Sequence, residues 1–445
     1  MNESAAPKLV LSIRRLRSES HPVSELIVVA ASRNQVVCGI HCARRRFRRP
    51  GSTRGSRSGS RPRRRLDPEL RYVGRSDDLA AVIFRKRVLS AEEIAKSVGR
   101  VEWRNANSKQ APAMESTAMR ILVTGSAGHL GEALMRTLAS SDHEAIGIDI
   151  KSSPYTHRVG SIADRGFVDQ CMRGAEVVLH TATLHKPHIV THTTQDFIDT
   201  NVSGTLNLLE AAIAATVKVF VFTSTTSAFG RALTPLAGEP AAWITEDVTP
   251  LPKNIYGITK LAAENLCELF HRKSGLPCVV LKTSRFFPEQ DDDRTAREGH
   301  NGDNLKVNEL LYRRADIEDV VDAHMLAVLK APTLGFDRFI ISATTPFTRE
   351  DLHELRTDAA LVLRRRCPGY EAEYVRRGWR APQTIDRVYV NERARALLGW
   401  QPRYDFGRAI RQLHANEDYR SPLARAVGAK GYHSESFPEG PYPTS

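Results

Sequence analysis

The segment 121–134, ILVTGSAGHLGEAL, constrains the fold of this chain more than any other. An apolar strand pattern runs into Gly125, Gly128 and Gly131, and a helical pattern follows at once over 129–139. A strand that turns sharply into a helix needs one residue free of Cβ strain. It needs a second where the backbone approaches a bound pyrophosphate, and a third where the helix packs tightly on the strand. The N-terminus of such a helix offers unpaired N–H groups and a partial positive charge to phosphate. Eighteen residues beyond Gly131, Asp149 ends the run AIGID. A carboxylate at that point accepts both hydroxyls of an adenosine ribose and repels a 2′-phosphate, which favours NAD over NADP. The competing reading is a solvated Asp at the end of a strand.

The same pattern continues. From residue 119 onward, apolar runs of four to six residues alternate with longer amphipathic stretches. Strands are expected at 121–124, 145–148, 177–180, 219–223, 279–282 and 339–342, and helices over 129–139, 165–173, 196–215, 255–273 and 319–330. Continuous apolar strands separated by helices indicate a parallel sheet covered on both faces. The expected fold is therefore α/β, a Rossmann-type doubly wound parallel sheet.

In NIYGITKLAAENL, Tyr256 and Lys260 stand four apart, one turn apart on one helix face. A free tyrosine, with a pKa of about 10, is a poor base at neutral pH, and a nearby ammonium lowers that value. Lys260 is expected to do this and to hydrogen-bond a ribose. A solvated helix face is the usual meaning of a lone YxxxK, so the weight comes from upstream. Thirty-one residues earlier, Thr225 lies in VFVFTSTTSAFG just beyond an apolar strand. A hydroxyl at the carboxyl end of a strand faces the crevice in which open α/β sheets bind ligands. Periodicity does not choose among Ser224, Thr225 and Thr226.

The formal charge of +13 raises nucleic acid as a partner. Its distribution argues against that, because residues 1–118 hold 25 Lys+Arg and 11 Asp+Glu while the remainder holds 39 and 40. Residues 43–65 are rich in Arg, Ser and Gly, which predicts disorder, and one short helix is expected within 88–100. Four readings of residues 1–118 stand: translation from a misplaced start with Met114 or Met119 as the true one, a disordered basic tail, a transit peptide, or a nucleic-acid-binding arm. Only Phe47 interleaves with the arginines, which disfavours the last. Six scattered cysteines without a CxxC pair fit a reduced, cytoplasmic protein. The sequence has no apolar run of the roughly 18 residues that a membrane span needs.

With these residues in hand, the chain resembles the extended short-chain dehydrogenase/reductases, the NAD-dependent epimerase/dehydratase family, from about Arg120 to about Phe406. TGSAGHLG is similar to that family's TGxxGxxG, and VVLHTAT to its fourth-strand motif. NVSGTLNLLEAA is similar to NxxGT, and STTSAFG to SSxxxYG, a register that selects Thr225. YGITK matches YxxxK, ADIEDVVDAH resembles hVxDvaxA, and ALLGWQPRYDF resembles LGWxPxxxf. The resemblance implies a Rossmann domain over 119–285, a smaller and mainly substrate-binding region over 286–420 that includes late sheet elements, and a C-terminal tail over 421–445. It also implies a homodimer. The catalytic residues would be Thr225, Tyr256 and Lys260. The NAD contacts would be Gly125, Ala127, Gly128, His129, Leu130, Gly131, Asp149, Ser161, Ile162, Thr181, Ala182, Thr183, Asn201, Tyr256, Lys260, Phe287 and Pro288. In such enzymes the tyrosine removes a hydroxyl proton while hydride passes to the nicotinamide. An epimerase returns the hydride to the other face, and a dehydratase adds a β-elimination.

Three departures bear on the substrate. Ser161 and Ile162 stand where an acidic–aliphatic pair usually holds the adenine. Phe287 occupies the place of an Asn that holds substrate phosphate. Only 28 positions separate Pro288 from Asp316, short for a loop enclosing a nucleotide base. His185, Thr226, Arg285 and Arg314 are substrate-contact candidates. His185 and His188 lack a carboxylate at metal-ligand spacing, so no metal is expected. The first functional reading is an NAD-dependent epimerase, dehydratase or dehydrogenase acting on a sugar or nucleotide sugar. The second is a reductase or dehydrogenase of a small hydroxy/keto compound, favoured by Phe286 and Phe287. The third is a dinucleotide-binding sensor or scaffold without catalysis.

Overall fold

The computed structural model describes residues 118–291, 294–431 and 437, and ahead of them the backbone of five short strands. The chain divides into two compact units, Met1–Ala113 and Met114–Ser445. In the first, Leu26–Ser32, Gln35–His41 and Arg71–Gly74 form an antiparallel sheet, and Val82–Phe84 pairs with Arg87–Leu89. The Arg-rich run 43–65, with its expected disorder, lies outside the described residues, as does the helix expected within 88–100 beyond Leu89.

The second unit is built on a seven-stranded parallel sheet. Its strands are β1 (Arg120–Thr124), β2 (Glu144–Asp149), β3 (Arg158–Val159), β4 (Val177–His180), β5 (Val219–Thr225), β7 (Cys278–Thr283) and β8 (Phe336–Ile341). The order is β8-β7-β5-β4-β1-β2-β3, and every pairing is parallel. Strand order reverses between β1 and β4, which opens a crevice at their carboxyl ends. The expected Rossmann-type sheet is thus present, and all six expected strands are in it. The seventh, β3, is two exposed residues at the edge and has no apolar run to betray it.

Alternation along each strand separates two cores. Ile121, Val123, Val177, Leu179, Val219 and Val221 face one side, where Leu134 of helix α1 (His129–Leu138) and Val320 of a later helix (Ile317–Leu334) cover them. Leu122, Val178, Phe220 and Phe222 face the other, under α2 (Arg165–Met172), α3 (Gly204–Ala214) and α4 (Ile255–Ser274). Each buried aliphatic side chain contributes roughly 1.5–3 kcal/mol, so a sheet apolar on both faces requires helices on both. A third core, with Leu311, Phe347, Leu355, Val362, Tyr374 and Phe406, packs beside a two-stranded parallel sheet of β6 (Ala242–Ile244) and β9 (Arg387–Tyr389).

The helix expected over 196–215 is not continuous. An α-turn at Thr194–Phe197 passes into a π-helical segment, Ile198–Ser203, before α3 begins. A widened turn of this kind re-aims side chains and recurs at functional sites. Here it carries Asn201.

Candidate active site

The glycine turn shows why it is glycine. Gly125 has φ +75°, and a Cβ there would lie 2.7 Å from the Ala182 nitrogen. A Cβ on Gly131 would lie 1.9 Å from the Gly125 carbonyl oxygen, so α1 can start against β1 only without one. Gly128 caps α1 and brings no side chain to the helix N-terminus, which leaves the end of the helix for an anion. Asp149 lies at the same turn: one carboxylate oxygen accepts the Ala127 N–H at 3.0 Å and the other the Lys151 N–H at 2.9 Å. The backbone cradle and this carboxylate fit a dinucleotide. Leu130 points into the core. The His129 ring instead meets the Glu289 carboxylate at 2.7 Å, where the backbone N–H groups of Lys430 and Gly431 also donate.

A relay of hydroxyls ties β1 to β4 at the switch point. Thr124 Oγ1 accepts the N–H groups of Thr181 and Ala182, both at 3.1 Å, and bonds His180 Nδ1 at 2.8 Å. His180 Nε2 meets Thr205 Oγ1 at 2.9 Å, and that hydroxyl donates to the Asn201 carbonyl. The chain of donors assigns the proton to Nε2. Burial, and next Lys260, push His180 well below its ordinary pKa, so it is neutral. Sequence reasoning used His180 only as part of a motif. Thr124 and Thr205 likewise entered only as letters of the TGxxGxxG and NxxGT motifs, without a role.

Asn201 is completely engaged. Its amide oxygen accepts from Leu184 N–H and Thr183 Oγ1, and its NH2 donates to the Leu184 carbonyl and Thr259 Oγ1. It therefore joins the loop after β4 to the helix that carries Tyr256. Ser161 Oγ accepts the Ala163 N–H. Ile162 is buried against Gly204, where a Cβ would come within 2.7 Å of it.

The catalytic candidates converge. Tyr256 and Thr225 line the same cavity, and Thr225 Oγ1 accepts the Ser227 N–H at 3.1 Å. The three neighbouring hydroxyls are sorted by their partners. Ser224 donates to Glu264 at 2.5 Å, Thr226 donates to the Thr283 carbonyl, and Thr225 alone faces Tyr256. Lys260 departs from expectation. Its Nζ donates to the Thr223 carbonyl at 2.6 Å and lies 4.0 Å from the centre of the Phe222 ring. Burial pushes Tyr256 up to about 12, opposed by the polar Thr225 hydroxyl. The same burial pulls Lys260 down to about 7 against the charge of Glu264. Beneath them lies a buried pair that sequence reasoning missed, Lys282 with both oxygens of Glu264 at 2.5 and 2.6 Å. Glu264 follows Lys260 by one helical turn and was legible as Tyr–Lys–Glu at i, i+4, i+8.

A cavity of about 220 Å³ opens in front of Tyr256 and Thr225. His185, Thr226, Phe286, Phe287 and Arg285 line it. The His185 ring lies 5.8 Å from that of Tyr256. Burial, and next His188, lower His185 to about 3, so it too is neutral. Arg285, Arg313 and Arg314 are not solvated. Arg285 pairs with Asp291, Arg313 with Asp291 and Glu309 at 3.0 and 2.7 Å, and Arg314 with Glu309 at 2.7 Å. Burial opposes ionisation of Glu309, yet Arg313, Arg314 and Arg285 hold it far below the usual carboxylate range. Arg314 also donates to the Phe287 carbonyl at 3.0 Å and lies outside the lining, beside Pro288 in a smaller neighbouring pocket. Among the described residues no three metal-ligating side chains converge.

A model of the NAD dependent epimerase/dehydratase family matches residues 121–333. Residues 121–333 belong to this family. A UDP-glucose 4-epimerase of Rhizobium leguminosarum bv. trifolii is 28% identical over 327 residues, 65% of this chain and 95% of that protein. A dTDP-glucose 4,6-dehydratase of Streptomyces antibioticus is 28% identical over 333 residues, 66% of this chain and 90% of that protein. Among solved structures, a short-chain dehydrogenase/reductase superfamily protein from Agrobacterium tumefaciens with bound NAD has a TM-score of 0.49 at 23% identity, covering 69% of this chain and 97% of that one. The chain is thus an NAD-dependent enzyme of the extended short-chain dehydrogenase/reductase type.

Proposed function

We propose that this enzyme removes hydride and proton from a hydroxyl-bearing carbon of a sugar or nucleotide sugar, in an epimerase- or dehydratase-type reaction. The observation that carries the reading is that Tyr256 of α4 and Thr225, at the crevice end of β5, line one cavity together. The residues proposed to hold NAD are the 125–131 turn, Asp149 and Thr181 to Thr183. When bound, NAD supplies the hydride acceptor. Tyr256 takes the hydroxyl proton, Thr225 holds the same oxygen, and the neutral His185 ring walls off water. The sugar nucleotide enters from the relatives, which are a UDP-glucose 4-epimerase and a dTDP-glucose 4,6-dehydratase. The region 286–420 is proposed to close over the substrate, and the active form is proposed to be a cytoplasmic homodimer. No helix among the described residues is long and apolar enough to cross a membrane.

A specific observation favours a second reading, a small hydroxy or keto compound. The cavity, at about 220 Å³, falls below the roughly 300–1,000 Å³ usual for ligand pockets.

Calorimetric titration with NAD and NADP tests the primary reading, with Asp149→Ala alongside. NAD should bind more tightly than NADP, and the substitution should weaken NAD at least about tenfold. A folded protein that binds neither cofactor would overturn the proposal.

A further inference from the structure

Among the described residues lining the cavity, three buried polar atoms lack a hydrogen bond: Ser284 Oγ, Arg387 Nε and Arg313 Nε. The Ser284 hydroxyl, on a residue only 3% exposed, is buried without a hydrogen bond. Arg387, at the start of β9, has its Nε buried without a partner, and it makes no ion pair among the described residues. Both line the cavity that Tyr256 and Thr225 line. The charge of Arg313 is nevertheless met, since its terminal nitrogen pairs with Asp291 and Glu309; Arg285 pairs with the same two carboxylates, and Asp386, next to Arg387 in sequence, pairs with Arg356. Among the described residues no Asp or Glu lines the cavity. A buried guanidinium nitrogen on a half-buried arginine, and a buried hydroxyl, are costly without acceptors unless a ligand satisfies them. A guanidinium fork matches two oxygens of one anion.

We propose that Arg387 and Ser284 form a subsite for an oxyanion of the substrate, a carboxylate or a phosphoryl group. Because one cavity of about 220 Å³ reaches all four residues, the anion and the reacting hydroxyl belong to the same compact unit. This rests on the cavity being the substrate site. It adds that a neutral sugar is a poor substrate. Two sources supply the same chemistry: the carboxylate of a sugar acid, or the phosphoryl group of a nucleotide sugar.

The full-length protein saturated with NAD is titrated calorimetrically with glucose, glucuronate, UDP-glucose and UDP-glucuronate, and turnover is followed by chromatography of the products, with NADH absorbance reporting any net oxidation. At least one anionic probe should bind at least tenfold more tightly than glucose. Tight glucuronate identifies a carboxylate; tight UDP-glucose with weak glucuronate identifies a phosphoryl group. Arg387→Met should weaken the favoured probe at least tenfold and raise its KM more than it lowers kcat, with NAD affinity unchanged. Arg387→Lys should restore part of the loss. Ser284→Ala, which leaves the charge in place, should weaken the same probe by a smaller factor. Equal binding of charged and neutral probes, binding of none by the NAD-loaded protein, or an Arg387→Met variant with intact anion affinity would each overturn the subsite. A protein that fails to take up NAD at all instead rejects the enzymatic reading beneath it.

Discussion

Burial governs protonation at the residue scale. It raises Tyr256 to about 12 and lowers Lys260 to about 7 and His185 to about 3. Tyr256 is therefore a phenol in the free enzyme, ready to act only once its surroundings favour the phenolate. Tyr256→Phe should lower kcat roughly 10²–10⁴-fold, the usual contribution of a positioned proton-transfer group, while calorimetric NAD affinity stays unchanged. Lys260 makes a different prediction. Its folded pKa of about 7 lies below the ordinary 10.5, so between those values the unfolded chain binds the extra proton and stability rises with pH. Below pH 7 both states are charged and the cost of burying the ammonium is fully present. In urea unfolding between pH 7.5 and 9, the native enzyme should gain up to about 1.4 kcal/mol per pH unit relative to Lys260→Met. Parallel pH profiles for the two would rule out this titration.

At the scale of the element, α4 organises the site. Tyr256, Lys260 and Glu264 follow one another along one face, and Glu264 reaches across to Lys282 of β7 and Ser224 of β5. The pair is buried on both sides, so removing one partner strands the other charge. Glu264→Gln should destabilise the fold by about 3–5 kcal/mol, and the double variant with Lys282→Met should recover part of that. Thermal unfolding of the three proteins checks it; additive losses would mean the pair is not coupled. The strands and α4 were legible because apolar period and length encode them locally. The break at Ile198–Ser203 was not, since it depends on Asn201 meeting Leu184 and Thr259, 17 and 58 positions away.

At the scale of the whole molecule, the chain falls into two units, and the motifs of the family lie entirely in Met114–Ser445. A chain shortened to begin at Met114 should keep the NAD affinity and unfolding temperature of the full protein; loss of either would assign the first unit a supporting role. What the sequence by itself determined is whatever neighbours along the chain dictate: the two-sided apolar strands, the helices between them, the glycine turn with Asp149, and the Tyr256–Lys260 spacing. Only the tertiary structure decided which hydroxyl of Ser224, Thr225 and Thr226 meets Tyr256. It also turned Lys260 onto Thr223, and it neutralised Arg285, Arg313 and Arg314 while leaving Arg387 and Ser284 without partners. Those outcomes depend on desolvation and on hydrogen-bond partners brought together from distant strands and loops, and local periodicity carries no information about either.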